Sequence, residues 1–286
     1  MTLDEIIDQA LQEDLGDGDI TTRAIFPDPT PGRASLLVKE DGILAGVPVA
    51  EKVFRRVDPG LEMKIFRKDG DQVFTGDIAF ELKGNVASIL AGERLALNFL
   101  QRLSGIATQT ARMVKEIEGL HAKILDTRKT TPNLRELEKY AVRTGGGFNH
   151  RSGLYDMVLI KDNHIDKVGS IVNAIRMVHR HLEKTGKKGM KIEIEVRDFE
   201  QMVEVMNEGG VDRILLDNFT PEDLADAVKI INGRFETEAS GGITLGNIRK
   251  YAESGVDYIS AGSLTHHIQS LDMSLKVVRR TVWDDE

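Results

Sequence analysis

The sequence predicts an α/β protein: a small α+β region followed by a parallel α/β barrel or a doubly wound sheet. Three observations predict it. Up to about residue 105, short strand-like runs are separated by turn signals. Beyond it, strand-like and helical runs alternate regularly. Each later strand-like run ends in polar, reactive or Gly-rich residues, as expected where βα loops build a site.

The N-terminal stretch MTLDEIIDQALQEDLGDG has the pattern of an acidic amphipathic helix and lacks the basic start and apolar run of a secretion signal. Strand-like runs follow at RASLLVK (33–39), GILAG (42–46), LEMKIF (61–66) and DIAFEL (77–82), with a helix at VPVAEKVFRRV (47–57). Asp41-Gly42, Pro59-Gly60, Asp69-Gly70 and Gly76-Asp77 mark the turns. The spacing from Gly70 to Ile78 is shared with lipoyl and biotin carriers, but no modifiable Lys stands at a hairpin tip. A long helix is expected from Ala87 to Glu118, broken near Ser104-Gly105.

The later strands are expected at KILD (123–126), MVLIK (157–161), KIEIEV (191–196), RILLD (213–217), FETEA (235–239) and VDYISA (256–261). Six strands fall short of a closed eight-stranded barrel. Thr130-Thr131-Pro132 looks like a helix start, with Pro at the first position. Asp198, Thr220 ahead of Pro221, and Thr244 open further helices, and Gly233 and Gly255 close two. EKTGKKGMK (183–191) reads as a solvated loop.

Composition narrows the chemistry. The net charge of −8 over 286 residues argues against nucleic acid as a general partner. The absence of cysteine removes disulfides, thiolate metal sites and thiol nucleophiles, and fits a reducing cytoplasm. No apolar run approaches the roughly 20 residues that span a bilayer.

The strand ends carry the candidate site. Asp126, Arg128 and Lys129 follow the first strand, and Lys161-Asp162-Asn163-His164 the second. RTGGGFNHRSG (143–153) brings His150 and Arg151 between them. Arg128, Lys129, His150, Arg151 and Lys161 thus make five cationic or potentially cationic groups on two neighbouring connections, suited to a ligand with several negative charges. In KIEIEV, Lys191, Glu193 and Glu195 share one face. Either this is an edge strand with one wet face, or it lines a polar barrel interior. Glu195 and Asp217, two carboxylates without Cys or His, suit Mg²⁺. SGGIT (240–244) and AGSL (261–264) are Gly-rich strand-to-helix connections at successive strand ends, where backbone N–H groups can approach phosphate oxygens. His266 could donate to the same anion or sit on the surface.

Taken together, GERLALNFLQRLSGIAT (92–108), DTRKTTP (126–132), GGGFNHR (145–151), IKDNH (160–164), IEIEV (192–196), LLDNF (215–219), EASGGIT (238–244) and GSLTH (262–266) resemble quinolinate phosphoribosyltransferase, also called nicotinate-nucleotide pyrophosphorylase (carboxylating). EDLGDGDITT (13–22) is similar too, so the resemblance runs over essentially the whole chain. The loop before the third strand carries no role that transfers.

The resemblance implies phosphoribosyl transfer from phosphoribosyl pyrophosphate to quinolinate with loss of CO₂, giving nicotinate mononucleotide and pyrophosphate for NAD biosynthesis. It implies an N-terminal α/β sandwich, residues 1–105 joined by 268–286, and an incomplete TIM-like barrel, 106–267. It also implies a homodimer with shared active sites, which could assemble further into hexamers; the cytoplasmic expectation comes from the cysteine-free composition. By motif, Arg128, His150, Arg151 and Lys161 would hold quinolinate, with Arg94 reaching in from the neighbouring subunit. Lys129 and Lys161 would face the pyrophosphate, and Glu195 and Asp217 would hold Mg²⁺. Ser240, Gly241, Gly242 and Gly262 would bind the 5′-phosphate, with His266 nearby. Two rivals within enzymes are a Schiff-base aldolase using Lys161 and a phosphoribosyltransferase for another acid. A carrier module built on the N-terminal region is a third reading.

Overall fold

The computed structural model describes residues 1–278. In chain order the elements are α1 (Leu3–Leu15), α2 (Ile20–Ile25), β1 (Pro31–Val38), β2 (Gly42–Ile43), α3 (Val47–Val57), β3 (Glu62–Ile65), β4 (Gln72–Val73), β5 (Ile78–Asn85), α4 (Val86–Glu116), β6 (Lys123–Leu125), α5 (Arg135–Thr144) and β7 (Val158–Ile160). There follow α6 (Asp162–Val168), α7 (Ile171–Lys184), β8 (Ile192–Val196), α8 (Phe199–Glu208), β9 (Arg213–Asp217), α9 (Pro221–Ile231), β10 (Glu236–Ser240), α10 (Ile248–Glu253), β11 (Tyr258–Ser260), α11 (Ser263–His266) and β12 (Met273–Val278). The fold is α/β, with an antiparallel sheet and a separate six-stranded parallel sheet.

Two compact units divide the chain. One holds residues 1–111, 131–146 and the segment from 268; the other holds 112–130 and 147–267. The sequence places the division at 105 and keeps 106–267 whole, whereas here 106–111 and 131–146 group with the first unit. Of the expected joining segment 268–286, residues 279–286 lie outside the described residues.

In the first unit the strand order is β12-β1-β5-β3, antiparallel throughout. Leu36, Phe80 and Leu82 are buried, and Phe54 of α3 meets Phe80 edge-on with ring centroids 6.3 Å apart. Helix α4 is continuous, and the expected break near Ser104-Gly105 does not occur. Those two residues serve packing instead. The Ser104 hydroxyl accepts from Ala45 N–H (2.9 Å) and donates to Ala45 C=O (3.1 Å), while a Cβ at position 105 would lie 2.2 Å from the Gln269 carbonyl oxygen. Tyr140 of α5 donates to Asp69 (2.6 Å), which also accepts from the amides of Gly46 and Val47 at the start of α3.

Helix α5 begins at Arg135, not at the Thr-Thr-Pro start the sequence suggests. Thr131 is already engaged: its hydroxyl accepts from Arg102 (2.6 Å) and its amide donates to Glu138 (3.1 Å). Asn133 then takes a left-handed φ of 65°, which no α-helical residue can hold. The helix expected from Thr244 likewise starts later, because the Asn247 side chain accepts from Thr244 N–H (2.7 Å) and donates to Gly242 C=O (3.0 Å).

In the second unit the strand order is β6-β11-β10-β9-β8-β7, all parallel. β6 and β7 are the outer strands and do not pair with each other, so the sheet stays open. β8 lies between β7 and β9, so its charged face is not a wet edge. Ile192, Ile194 and Val196 are buried on one face and Glu193 on the other. Register places Arg213 beside Glu193 and Glu236, Leu215 beside Glu195 and Glu238, and Ser240 beside Asp217. One face of the sheet is therefore layered in charge and hydrogen-bonding groups, and the opposite face is apolar. No helix among the described residues is long and apolar enough to cross a membrane.

Candidate active site

A cavity of about 890 Å³ opens at the C-terminal ends of these strands, and every residue lining it belongs to the second unit. It gathers Arg128, Lys129, His150, Arg151, Lys161, Glu195, Asp217, Ser240, Gly241, Gly242, Gly262 and His266. Thus the site residues expected from sequence converge there, with one exception. Arg94 is exposed on α4 and is not among the lining residues.

The cation cluster is built on β6. Asp126, fully buried at the end of that strand, accepts from the His150 amide (2.9 Å) and from the Asn149 side chain. One carboxylate thereby ties FNHR to the strand that carries Arg128 and Lys129. Thr265 holds the other side by donating its hydroxyl to the Lys129 carbonyl (2.7 Å). Burial, and next the charge of Arg128, lower the Arg151 guanidinium below its ordinary pKa, so the two arginines feel each other.

The Gly-rich loops lie opposite. Gly241 has φ of 100°, and a Cβ there would meet the Asn218 side chain at 2.1 Å. Only Gly fits that conformation and that spacing. A Cβ at Gly262 would lie 2.8 Å from Lys129 Cδ and 2.9 Å from His266 Nε2, so lysine and histidine converge over this backbone. His266 is held below its ordinary pKa by burial, then by His267 and Lys129.

Glu195 and Asp217 stand on adjacent strands. Lys161 Nζ lies 3.1 Å from Glu195 Oε2, and Asp217 accepts from Asn218 (2.7 Å). Burial, and then the charge of Glu195, push the Asp217 carboxyl above its usual range. Two mutually repelling oxygen donors at a cavity wall fit a hard cation that completes its shell with water or phosphate.

The sequence reading missed what lies beneath His150. Glu193 and Glu238 are both wholly buried. His150 Nε2 lies 2.9 Å from Glu193 Oε2 and 3.5 Å from Glu238 Oε2, and Nδ1 accepts the Arg151 N–H at 2.7 Å. Glu238 also accepts from Arg213 (2.8 Å), whose guanidinium lies 3.8 Å from the centre of the Tyr258 ring. Burial alone would lower the imidazole pKa, but the hydrogen bonds and charges of the two glutamates outweigh it and raise it to about 9. Burial and the neighbouring Glu238 raise Glu193 to about 7.

These facts pull the ring two ways, since a donor at Nδ1 requires the neutral form and the carboxylates favour the cation. A proton on Glu193 leaves the ring neutral and keeps the Nδ1 bond, whereas a proton on the imidazole makes the ion pair and gives that bond up. With Glu238 and Arg213 paired, the constellation is neutral overall in either arrangement, as a low-dielectric interior demands. The signal for these residues was present in the sequence. Glu236, Glu238 and Ser240 alternate along β10 as Glu193 and Glu195 do along β8.

Comparison with known proteins adds a separate line of support. The model for the quinolinate phosphoribosyl transferase N-terminal domain matches residues 19–104, and that for the C-terminal domain matches 106–276. The chain is 47% identical over 290 residues to an Arabidopsis thaliana protein called nicotinate-nucleotide pyrophosphorylase [carboxylating], chloroplastic, covering 96% of this chain and 82% of that protein. It is 42% identical to a Bacillus subtilis protein called probable nicotinate-nucleotide pyrophosphorylase [carboxylating], covering 97% and 94%. A crystal structure of NadC from Streptococcus pyogenes superposes with a TM-score of 0.91 at 42% identity, covering 96% of this chain and 97% of that one.

Proposed function

The chain belongs to the quinolinate phosphoribosyl transferase family, and from that premise we propose how its own residues carry out the reaction. The enzyme transfers a phosphoribosyl group from phosphoribosyl pyrophosphate to quinolinate and releases CO₂ and pyrophosphate, leaving nicotinate mononucleotide for NAD biosynthesis. The observation that carries the assignment of roles is the single cavity in which a cation cluster faces two Gly-rich strand ends and a carboxylate pair.

Quinolinate is a dianion, and the phosphoribosyl donor carries several more charges. Bringing them together costs Coulomb energy that grows as water is excluded. Arg128, Arg151 and Lys161 offset it at the quinolinate carboxylates. His150 contributes through its ring edge, since both of its nitrogens already have protein partners. Lys129 and Lys161 face the pyrophosphate, whose departure leaves oxocarbenium-like charge on the ribosyl carbon. Ser240, Gly241, Gly242 and Gly262 hold the 5′-phosphate, with His266 beside it. Glu195 and Asp217 would hold Mg²⁺, which when bound supplies electrostatic stabilisation of the leaving pyrophosphate oxygens. Ribosylation makes the ring nitrogen cationic, and this stabilises the carbanion left at the adjacent carbon when CO₂ departs. No strong base is needed for that step.

We also infer that the working assembly is a homodimer in which Arg94 of a second copy completes the quinolinate pocket. Its exposed position on α4 supports this, as does its absence from the lining of its own cavity. A cytoplasmic location is inferred from the cysteine-free composition.

The test is one assay. Purified protein with quinolinate, phosphoribosyl pyrophosphate and Mg²⁺ is expected to form nicotinate mononucleotide, and nicotinate in place of quinolinate is expected to give none. Product from nicotinate alone would overturn the substrate assignment. Mixing inactive Arg94→Ala and Lys161→Ala chains is expected to recover activity, and no recovery would refute the shared site.

A further inference from the structure

A pocket built for polyanions holds a buried carboxylate in its lining, Glu238, and electrostatics alone would exclude it. We propose that Glu238, clamped by Arg213, is a positioning residue for this reaction that acts through His150.

The clamp is built from three strands. Arg213 on β9 donates from Nη1 to Glu238 Oε2 on β10 (2.8 Å), and from Nε and Nη2 to Glu236 Oε2 (3.3 and 3.1 Å). Its guanidinium lies 3.8 Å from the centre of the Tyr258 ring on β11. Held by two carboxylates and a ring, the guanidinium has one place to be, and it fixes the Glu238 carboxylate in turn. That carboxylate and Glu193 of β8 grip His150 Nε2 from two sides. Asp126 of β6 grips the His150 backbone. The imidazole is therefore fixed by β8 and β10 at Nε2 and by the residue after β6 at its own amide.

What the ring fixes is Arg151. The Arg151 amide donates to His150 Nδ1 (2.7 Å), and the Arg151 side chain lines the cavity. A chain of contacts thus runs from Arg213 through Glu238 and the imidazole to the backbone of a guanidinium assigned to the substrate carboxylates. Arg213 also cancels the charge of Glu238, so the carboxylate anchors the ring without repelling the substrate. The Gly-rich loops and Lys129 have their own supports, the Asn218 amide on the Ser240 carbonyl (2.8 Å), Asn247 and Thr265, so Glu238 bears on the quinolinate side of the pocket.

This inference rests on the reading of quinolinate as the substrate, and the experiment separates the two. Wild-type turnover of quinolinate tests that reading by itself. In Glu238→Gln, the Michaelis constant for quinolinate is expected to rise roughly tenfold or more, the scale of a misplaced binding group. The constant for phosphoribosyl pyrophosphate should stay unchanged. The ¹⁵N shifts of the His150 imidazole should move in the substrate-free enzyme, a readout that needs no activity. Because Glu238→Gln leaves Arg213 with less compensating charge and could impair folding, the charge-balanced pair Arg213→Met/Glu238→Gln is measured beside it and should show the same selective defect. A folded variant with wild-type quinolinate constant and unmoved His150 shifts overturns the proposal. So does an equal rise in both Michaelis constants, which marks general disruption.

Discussion

Two buried glutamates, Glu138 and Glu238, sit in different units, and each is paired with an arginine. Glu138 lies in the first unit, where Arg102 reaches Oε1 twice (2.8 and 2.6 Å) and the Thr131 amide reaches Oε2 (3.1 Å). Both of its oxygens are satisfied, and it is not among the residues lining the cavity at the strand ends. Glu238 has Oε2 bound by Arg213 and 3.5 Å from His150 Nε2, draws on the Ser260 side chain as well, and borders the cavity. A closed set of bonds holds a fold together. One shared with a histidine at a cavity wall also holds a site in place. The same contrast separates the interiors of the units, one a largely apolar core around Phe54 and Phe80, the other layered in charge.

Removing the arginine is the strongest way to test this contrast in the first unit. Arg102→Ala strands a wholly buried carboxylate and should cost about 3–5 kcal/mol of stability. Chemical unfolding would read this, and a loss below 1 kcal/mol would show that Glu138 finds other partners. In the second unit the corresponding loss should appear in kinetics. Arg128→Ala should reduce kcat/KM by an amount equivalent to about 1.5–3 kcal/mol, with unfolding little altered. Unchanged kinetics would remove Arg128 from the substrate site.

Gly105→Ala sharpens the contrast from the packing side. The added methyl meets the Gln269 carbonyl, so a stability loss of about 1–3 kcal/mol is expected with per-molecule activity retained. If the melting temperature held, α4 would have room that the structure does not show.

The last expected effect is a pH dependence. The folded-state pKa of His150 is raised from 6.5 to about 9. Its contribution to stability is therefore fully present below pH 6.5 and is lost as pH rises through about 9. The stability advantage of wild type over His150→Gln should shrink across that window. An advantage that grew with pH would show the ring to be neutral and Glu193 to carry the proton.

Much of this was legible in the sequence. The six later strands follow from alternation and caps, and α3 at Val47–Val57 was read as the helix between the strand-like runs. The cation cluster, the Gly-rich loops and the carboxylate pair were found because each ends a strand. Other features were hidden for physical reasons. The two-residue strand β4 lacks a run long enough to show a period. The start of α5 was misread because Thr131 serves Glu138 and also Arg102, a partner 29 residues away in the chain.

The sequence by itself determined which residues carry charge, where strands alternate and where helices can be capped, because these depend on neighbours a few positions away. Only the tertiary structure decided which charges meet. That Ser104-Gly105 packs rather than breaks a helix, and that Glu193, Glu238 and Arg213 converge beneath His150, depends on strands brought side by side across long stretches of chain. In the low dielectric between those strands the energy of each charge is set by its partner, and no local pattern names that partner.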